Sequence, residues 1–167
     1  MTAPHAPATT ASPGKYLIFR LGGETYGVSV LAVREIIRLC PITPVAHMPA
    51  YVRGVINLRG RVIPLVDLRT RFGLPAAPDH DRTCFIVTQV AAAAGGTRPY
   101  AVVIDSVEEV ATLGEADLVP TPDFGGAIDA RFIIGMARTR TGVTTLVDIG
   151  AVAAADSIPP AAHSSTS

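Results

Sequence analysis

Apolar residues in this chain arrive in short runs, and Gly or Pro interrupts nearly every one of them. Runs of about four to eight residues, bounded by turn formers and rich in Val and Ile, read as strands. Tyr16–Leu21 is such a run, ended by Gly22-Gly23, and it resumes as Thr25–Val30, which makes a hairpin. Gly54–Leu58 and Arg61–Val66 flank Arg59-Gly60, where glycine can take the positive φ of a tight turn. Thr83–Val90 and Tyr100–Ile104 are strong strands joined by an Ala/Gly loop, Ala91–Pro99. Val107–Leu113, Phe132–Arg138 and Val143–Val147 follow, the last two joined at Arg140-Thr141-Gly142. About ten short strands result, the pattern of barrels and sandwiches.

Helical signals are few. Val30, Val33 and Ile37 are spaced for one amphipathic turn around Leu31–Ile37. Asp67 can cap a helix through Phe72, with Gly73 as its stop, and Asp148 can cap a last helix, Ile149–Ala154. The expected fold is mostly β, with a few short helices. Residues 1–14 and 155–167 are Ala-, Pro-, Thr- and Ser-rich, with too little apolar content to offset the entropy of ordering them. They are expected as flexible tails around a single domain, residues 15–154.

Fourteen Lys+Arg balance 14 Asp+Glu in the 167 residues, so the basic face of a nucleic-acid binder is missing. No apolar run approaches the roughly 20 residues of a membrane span, and residues 1–14 hold no apolar block that could serve as a secretory signal. Cys40 and Cys84 make no disulfide framework and no CxxC. His47 and His80 have no His, Cys or acid at metal-ligand spacing, and the paired glycines lack the flanking pattern of a phosphate loop. Cys84 reads as an inert thiol inside a strand, and Asp67 and Asp105 as capping and turn residues. No catalytic residue, metal site or cofactor is expected.

The informative segment is Pro49–Leu74. Five of the 13 arginines fall there, at 53, 59, 61, 69 and 71, in a strongly apolar background with Tyr51 and Phe72 as the only aromatics. An apolar hairpin whose turn presents Asn57, Arg59 and Arg61 suits a protein partner better than stacked bases.

Gly54-Val55-Ile56-Asn57-Leu58-Arg59-Gly60, then Ile63-Pro64-Leu65-Val66-Asp67-Leu68-Arg69, resembles the central signature of the CheW family of chemotaxis coupling proteins. Phe19-Arg20-Leu21, Tyr26-Gly27-Val28, Val33-Arg34-Glu35-Ile36, Val103-Ile104-Asp105-Ser106-Val107 and Gly135-Met136 extend the likeness over residues 15–152. The stretch Ala91–Arg98 and the N-terminal tail depart from the family pattern. The resemblance implies two intertwined five-stranded SH3-like barrels and an adaptor without catalytic activity. Its implied partners are the histidine kinase CheA and the cytoplasmic tips of methyl-accepting chemoreceptors. Nucleic acid is not among them, and membrane association comes only through receptors, placing the protein in the cytoplasm at receptor arrays.

Carried over by motif, the receptor-facing residues are Val33, Glu35, Thr43, Gly54, Asn57, Leu58, Arg59 and Gly60, around the first helical turn and the hairpin. The resemblance pairs Glu35 with Arg59 and leaves the kinase-contact residues unplaced. Other classes are a coupling subunit of a surface-sensing or pilus-motility array, a regulatory domain of a larger signalling protein, and, disfavoured by charge, a nucleic-acid-binding β-barrel.

Overall fold

The computed structural model describes residues 11–75, 78–91, 95–119, 130–140 and 142–154. In chain order the elements are β1 (Gly14–Leu21), β2 (Glu24–Ser29), β3 (Val33–Arg38), β4 (Val52–Leu58), β5 (Arg61–Asp67), α1 (Leu68–Arg71), β6 (Cys84–Ala91), β7 (Thr97–Ile104), β8 (Ser106–Leu113), β9 (Leu118–Val119), β10 (Ile133–Thr139), β11 (Gly142–Val147) and α2 (Ile149–Ala154). Two sheets form, in the orders β3-β6-β7-β5-β4 and β8-β1-β2-β11-β10-β9. Each curls back on itself. The chain leaving β3 crosses over and pairs Thr43 with Val55 on the outer edge of β4. In the same way, the chain leaving β8 supplies β9 to the outer edge of β10. Paired edges remove the free strand rims that an open sheet would present. These are the two SH3-like barrels.

The two barrels are built alike, position by position. In one, cross-strand partners run Glu35–Val87–Ala101–Leu65–Gly54. In the other they run Glu109–Ile18–Gly27–Leu146–Gly135. The register equates β1–β2 with β6–β7, β3 with β8, and β4–β5–α1 with β10–β11–α2. Each half of the chain therefore places its third strand, β3 or β8, beside the hairpin of the other half. The barrels are intertwined.

This arrangement explains the unbroken apolar runs. Tyr100, Val102 and Ile104 of β7 join a core shared by both barrels, while Ala101 and Val103 fill their own barrel. Leu17, Phe19 and Leu21 of β1 likewise face the shared core, and Tyr16 and Ile18 face inward. A strand buried on both faces reads as continuous apolar sequence rather than as alternation. Phe19, Tyr26, Phe72 and Phe132 cross the shared core as a chain of rings with centroids 6.0, 5.6 and 5.8 Å apart.

Several expectations need correction. The stretch Leu31–Ile37 is not a helical turn. A 3-10 turn at Val30–Ala32, capped by the Ser29 side chain accepting from the Leu31 amide, leads directly into β3. Val33, Ile36 and Ile37 are β-branched, and β3 alternates half-buried and exposed residues, so the period of two prevails over the i, i+3 coincidence. β9, two residues long, carried no periodic signal. β6 and β7 extend further than read, to Ala91 paired with Thr97, so the loop between them is shorter than expected. Of the expected N-terminal tail, only residues 11–14 are described, and they lie against the barrel. The Ala11 amide donates to the Ile134 carbonyl at 2.9 Å, and the Tyr16 hydroxyl donates to the Ser12 carbonyl at 2.7 Å. Residues 1–10 and 155–167 lie outside the described residues.

Both expected helices form as read. The Asp67 carboxylate accepts from the Arg69 amide at 3.0 Å, and Asp148 accepts from the Gly150 and Ala151 amides at 3.0 and 3.2 Å. The unforeseen element is Arg69, whose side chain is 1% exposed. Its guanidinium lies 3.3 Å from Asp67, 3.3 Å from Asp105 and 3.7 Å from Asp79. Asp79 is also held by both terminal nitrogens of Arg53 at 3.1 Å. Asp105 accepts from the Gly22 amide at 2.9 Å, which ties the β1–β2 turn to the same cluster.

Without Arg69, Arg53 still holds Asp79, but Asp67 and Asp105 lose their ion-pair partner, and breaking a buried ion pair costs about 3–5 kcal/mol. Arg69→Met is expected to lose an amount in that range in urea unfolding. A loss below about 1 kcal/mol would show that the three carboxylates do not depend on it. Asp79 supplies a pH signature. Hydrogen bonds from Arg53 hold its carboxyl below the usual 3.8, with the Arg69 charge adding to the effect. A carboxylate whose folded value is depressed contributes stability that is complete above its unfolded value and fades as the pH falls through the folded one. Asp79→Asn should therefore be less stable than the parent at pH 7, and the two melting curves should converge in acid below pH 3.8.

Candidate partner-docking surface

The hairpin β4–β5 turns in two residues. Leu58 pairs with Arg61, and the intervening Arg59 and Gly60 both have positive φ, 51° and 86°. Two successive positive φ values make the I′ turn whose twist matches the flanking strands. Glycine accepts this conformation freely, and arginine rarely does. Two contacts hold it. The Asn57 side-chain oxygen accepts from the Gly60 amide at 2.8 Å. The left-handed backbone at Arg59 swings its guanidinium across the barrel mouth onto Glu35 of β3, with one nitrogen donating at 3.2 Å and the other making a still closer contact. The pair is open to water, with side-chain exposures of 69% for Arg59 and 33% for Glu35. The Arg59 hydrogen bonds hold the Glu35 carboxyl below the usual range, helped by the charge of Arg34. Glu35 therefore stays ionised.

The eight expected site residues separate into distinct groups. Glu35, Leu58 and Arg59 line one groove of about 270 Å³. Asn57 and Gly60 build the turn above it. Thr43 and Gly54 meet at the seam that closes the barrel. There Thr43 exchanges backbone hydrogen bonds with Val55, each 2.9 Å, and Gly54 has φ 143° with its Cα against the Thr43 carbonyl. A side chain at position 54 would overlap that carbonyl, so this glycine is required by close packing. Val33 packs against the shared core.

The five clustered arginines also divide. Arg53 is paired to Asp79 and Arg69 is buried. Arg71 lies over the rings of Tyr51 and Phe132, 4.3 and 4.9 Å from their centroids. Only Arg59 and Arg61 are left exposed at the hairpin. Sequence reasoning missed Arg34, because the helical reading of β3 hid that positions 34, 36 and 38 share its exposed face. The exposed apolar residues Ile36 on that strand and Val62 opposite Asn57 were missed for the same lack of a register.

Cys84 is partly buried with its thiol pushed up by burial, as an inert cysteine requires. Among the described residues no group of His, Cys, Asp and Glu is placed to hold a metal ion, and no helix is long and apolar enough to cross a membrane.

The turn geometry can be tested on its own. Asn57→Ala removes the bond to the Gly60 amide and should cost about 0.5–1.5 kcal/mol. Arg59→Gly relieves the left-handed backbone and should leave the melting temperature equal or slightly raised, despite losing the Glu35 contact. A marked fall for Arg59→Gly would mean that the exposed pair, not Asn57, holds the hairpin.

Comparison with known proteins agrees with the resemblance. The family model described as the CheW-like domain matches residues 15–157. A chemotaxis protein CheW of Rhizobium meliloti is 39% identical over 140 residues, 83% of this chain and 87% of that protein. Another, from Klebsiella aerogenes, is 33% identical over 135 residues, 81% of this chain and 78% of that protein. The crystal structure of the scaffolding protein TtCheW from Thermoanaerobacter tengcongensis superposes with a TM-score of 0.74 at 28% identity, covering 84% of this chain and 92% of that one. Closed twin barrels, the Asn-Leu-Arg-Gly turn clasped to Glu35 and this likeness along most of the chain lead to one assignment: the protein belongs to the CheW family of chemotaxis coupling proteins.

Proposed function

We propose that this adaptor works without catalysis of its own, holding the cytoplasmic tip of a chemoreceptor against the regulatory domain of the histidine kinase CheA. The observation that carries the receptor side is the hairpin tip. Arg59 is kept in an uncommon backbone conformation, aimed across an open groove and clasped by Glu35, so its guanidinium is presented in one orientation before any partner arrives. Preorganisation lowers the ordering cost of binding. Glu35, Leu58 and Arg59 are the contact residues in this reading. Asn57 and Gly60 shape the turn, Thr43 and Gly54 hold the seam beneath it, and Val33 anchors β3. The protein acts in the cytoplasm, at receptor arrays.

Reconstitution tests the reading. The chain, a receptor signalling fragment and the kinase are combined in all pairs and as three, and autophosphorylation is measured. Kinase activity should rise only in the three-component mixture, and the chain alone should hydrolyse no ATP. Arg59→Ala should keep its fold and weaken receptor binding by more than about tenfold, as expected for an interface arginine. Equal affinity for wild type and Arg59→Ala would remove the hairpin from the binding surface.

A further inference from the structure

The groove beneath the hairpin holds more positive charge than it needs. Arg34, Arg59 and Arg61 line it with Glu35 as the only carboxylate, above a floor that includes the buried Ile63 and Val87. Arg59 and Glu35 neutralise each other. Arg34 and Arg61 are left over: both are exposed, and neither side chain has a hydrogen-bond or ion-pair partner among the described residues.

The second barrel supplies an internal comparison. Its register places Glu109 where Glu35 stands and Arg140 where Arg59 stands, and the same pair forms there, with Arg140 donating to Glu109 at 3.4 Å. The clasp itself is thus a property of the barrel and carries no specificity. The surrounding charges differ. Arg34 corresponds to Glu108, and Arg61 to Gly142. Gln89 corresponds to Arg20, so the equivalent positions of the second barrel set Arg20 and Arg140 against Glu108 and Glu109, two charges of each sign, paired at 3.3 and 3.4 Å. Only the first groove has an unbalanced excess, two guanidinium groups over an apolar floor.

Guanidinium forks match carboxylates in geometry as well as charge, and the low-dielectric floor strengthens the attraction. We infer that the first groove receives an acidic side chain of the receptor tip, Asp or Glu, held between Arg34 and Arg61, with Glu35 keeping Arg59 out of competition for it. This rests on the receptor-binding reading above and adds the chemistry that the partner must carry. A carboxylate in that position completes the charge balance that Glu108, paired to Arg20, already provides on the other barrel. It also excludes a partner with Lys or Arg there, so the unpaired arginines select as well as attract.

The test titrates the full chain with a receptor signalling fragment and, separately, with the kinase regulatory domain, both from the same genome. Arg34→Glu/Arg61→Glu should melt with the parent, since both positions are exposed, and should lose receptor affinity by more than about tenfold. Arg34→Lys/Arg61→Lys should retain part of it, and Arg140→Ala on the second barrel should leave it unchanged. Reversing one receptor Glu or Asp to Arg should restore binding to the Arg34→Glu/Arg61→Glu chain. Receptor affinity unchanged by the double reversal overturns the inference and leaves the adaptor reading standing, as does a loss confined to the kinase fragment. Wild-type chain that binds neither fragment overturns both.

Discussion

A single buried guanidinium fixes how the parts of this protein meet. Arg69 extends from the first turn of α1 into a space where Asp67, Asp79 and Asp105 converge. Asp67 also caps α1, Asp79 also binds Arg53 of β4, and Asp105 also receives the Gly22 amide. The cluster therefore joins the end of β5, the segment before β6, the corner between β7 and β8, and the first hairpin. Apolar contacts are indifferent to small rotations, whereas a planar guanidinium among three carboxylates is not. The shared core supplies most of the attraction between the barrels, and the arginine fixes their orientation.

That orientation matters because the two barrels are copies in register but not in chemistry. Equivalent positions keep the features that the architecture requires. Glycines stand at 54 and 135 where a bulge interrupts the pairing, acidic caps stand at 67 and 148, and Arg–Glu clasps close the two hairpins. Elsewhere the copies diverge. Arg71, which corresponds to the buried Val152, lies over Tyr51 and Phe132, rings at equivalent positions in the two halves. One cation serves there for both. At the surface, the hairpin mouths differ in charge, with Arg34 against Glu108 and Arg61 against Gly142, where a change carries no cost to the core.

Most of the strands were legible from residues 16–30 and 54–66 onward, because short apolar runs there end at glycine turns with little ambiguity. Asp67 and Asp148 announced both helices by capping chemistry alone. β3 was misread because Val30, Val33 and Ile37 satisfy a helical spacing by coincidence, and a six-residue stretch is too short to separate two periods. The candidate site was legible as a motif but not as a geometry. Which arginine is buried, which lies over rings and which faces a partner depends on strand register, and register depends on pairings up to 119 residues apart, as between Gly27 and Leu146. The roles of Gly54 and Thr43 were hidden for the same reason, since their contact crosses the barrel seam.

The exchange of β3 and β8 between the halves has a consequence for synthesis. As the chain emerges in order, the hairpin β1–β2 appears first but lies between β8 and β11, both made in the second half of the chain. The first barrel that can close is the one completed by Ile104, and it draws on nothing before Val33. The earliest hairpin must wait, with both edges unpaired, while about eighty residues follow it. Such an interval favours pairing with a neighbouring chain over pairing with itself. The strand order that binds the two barrels together thus also makes the nascent protein most vulnerable just before β8 is released.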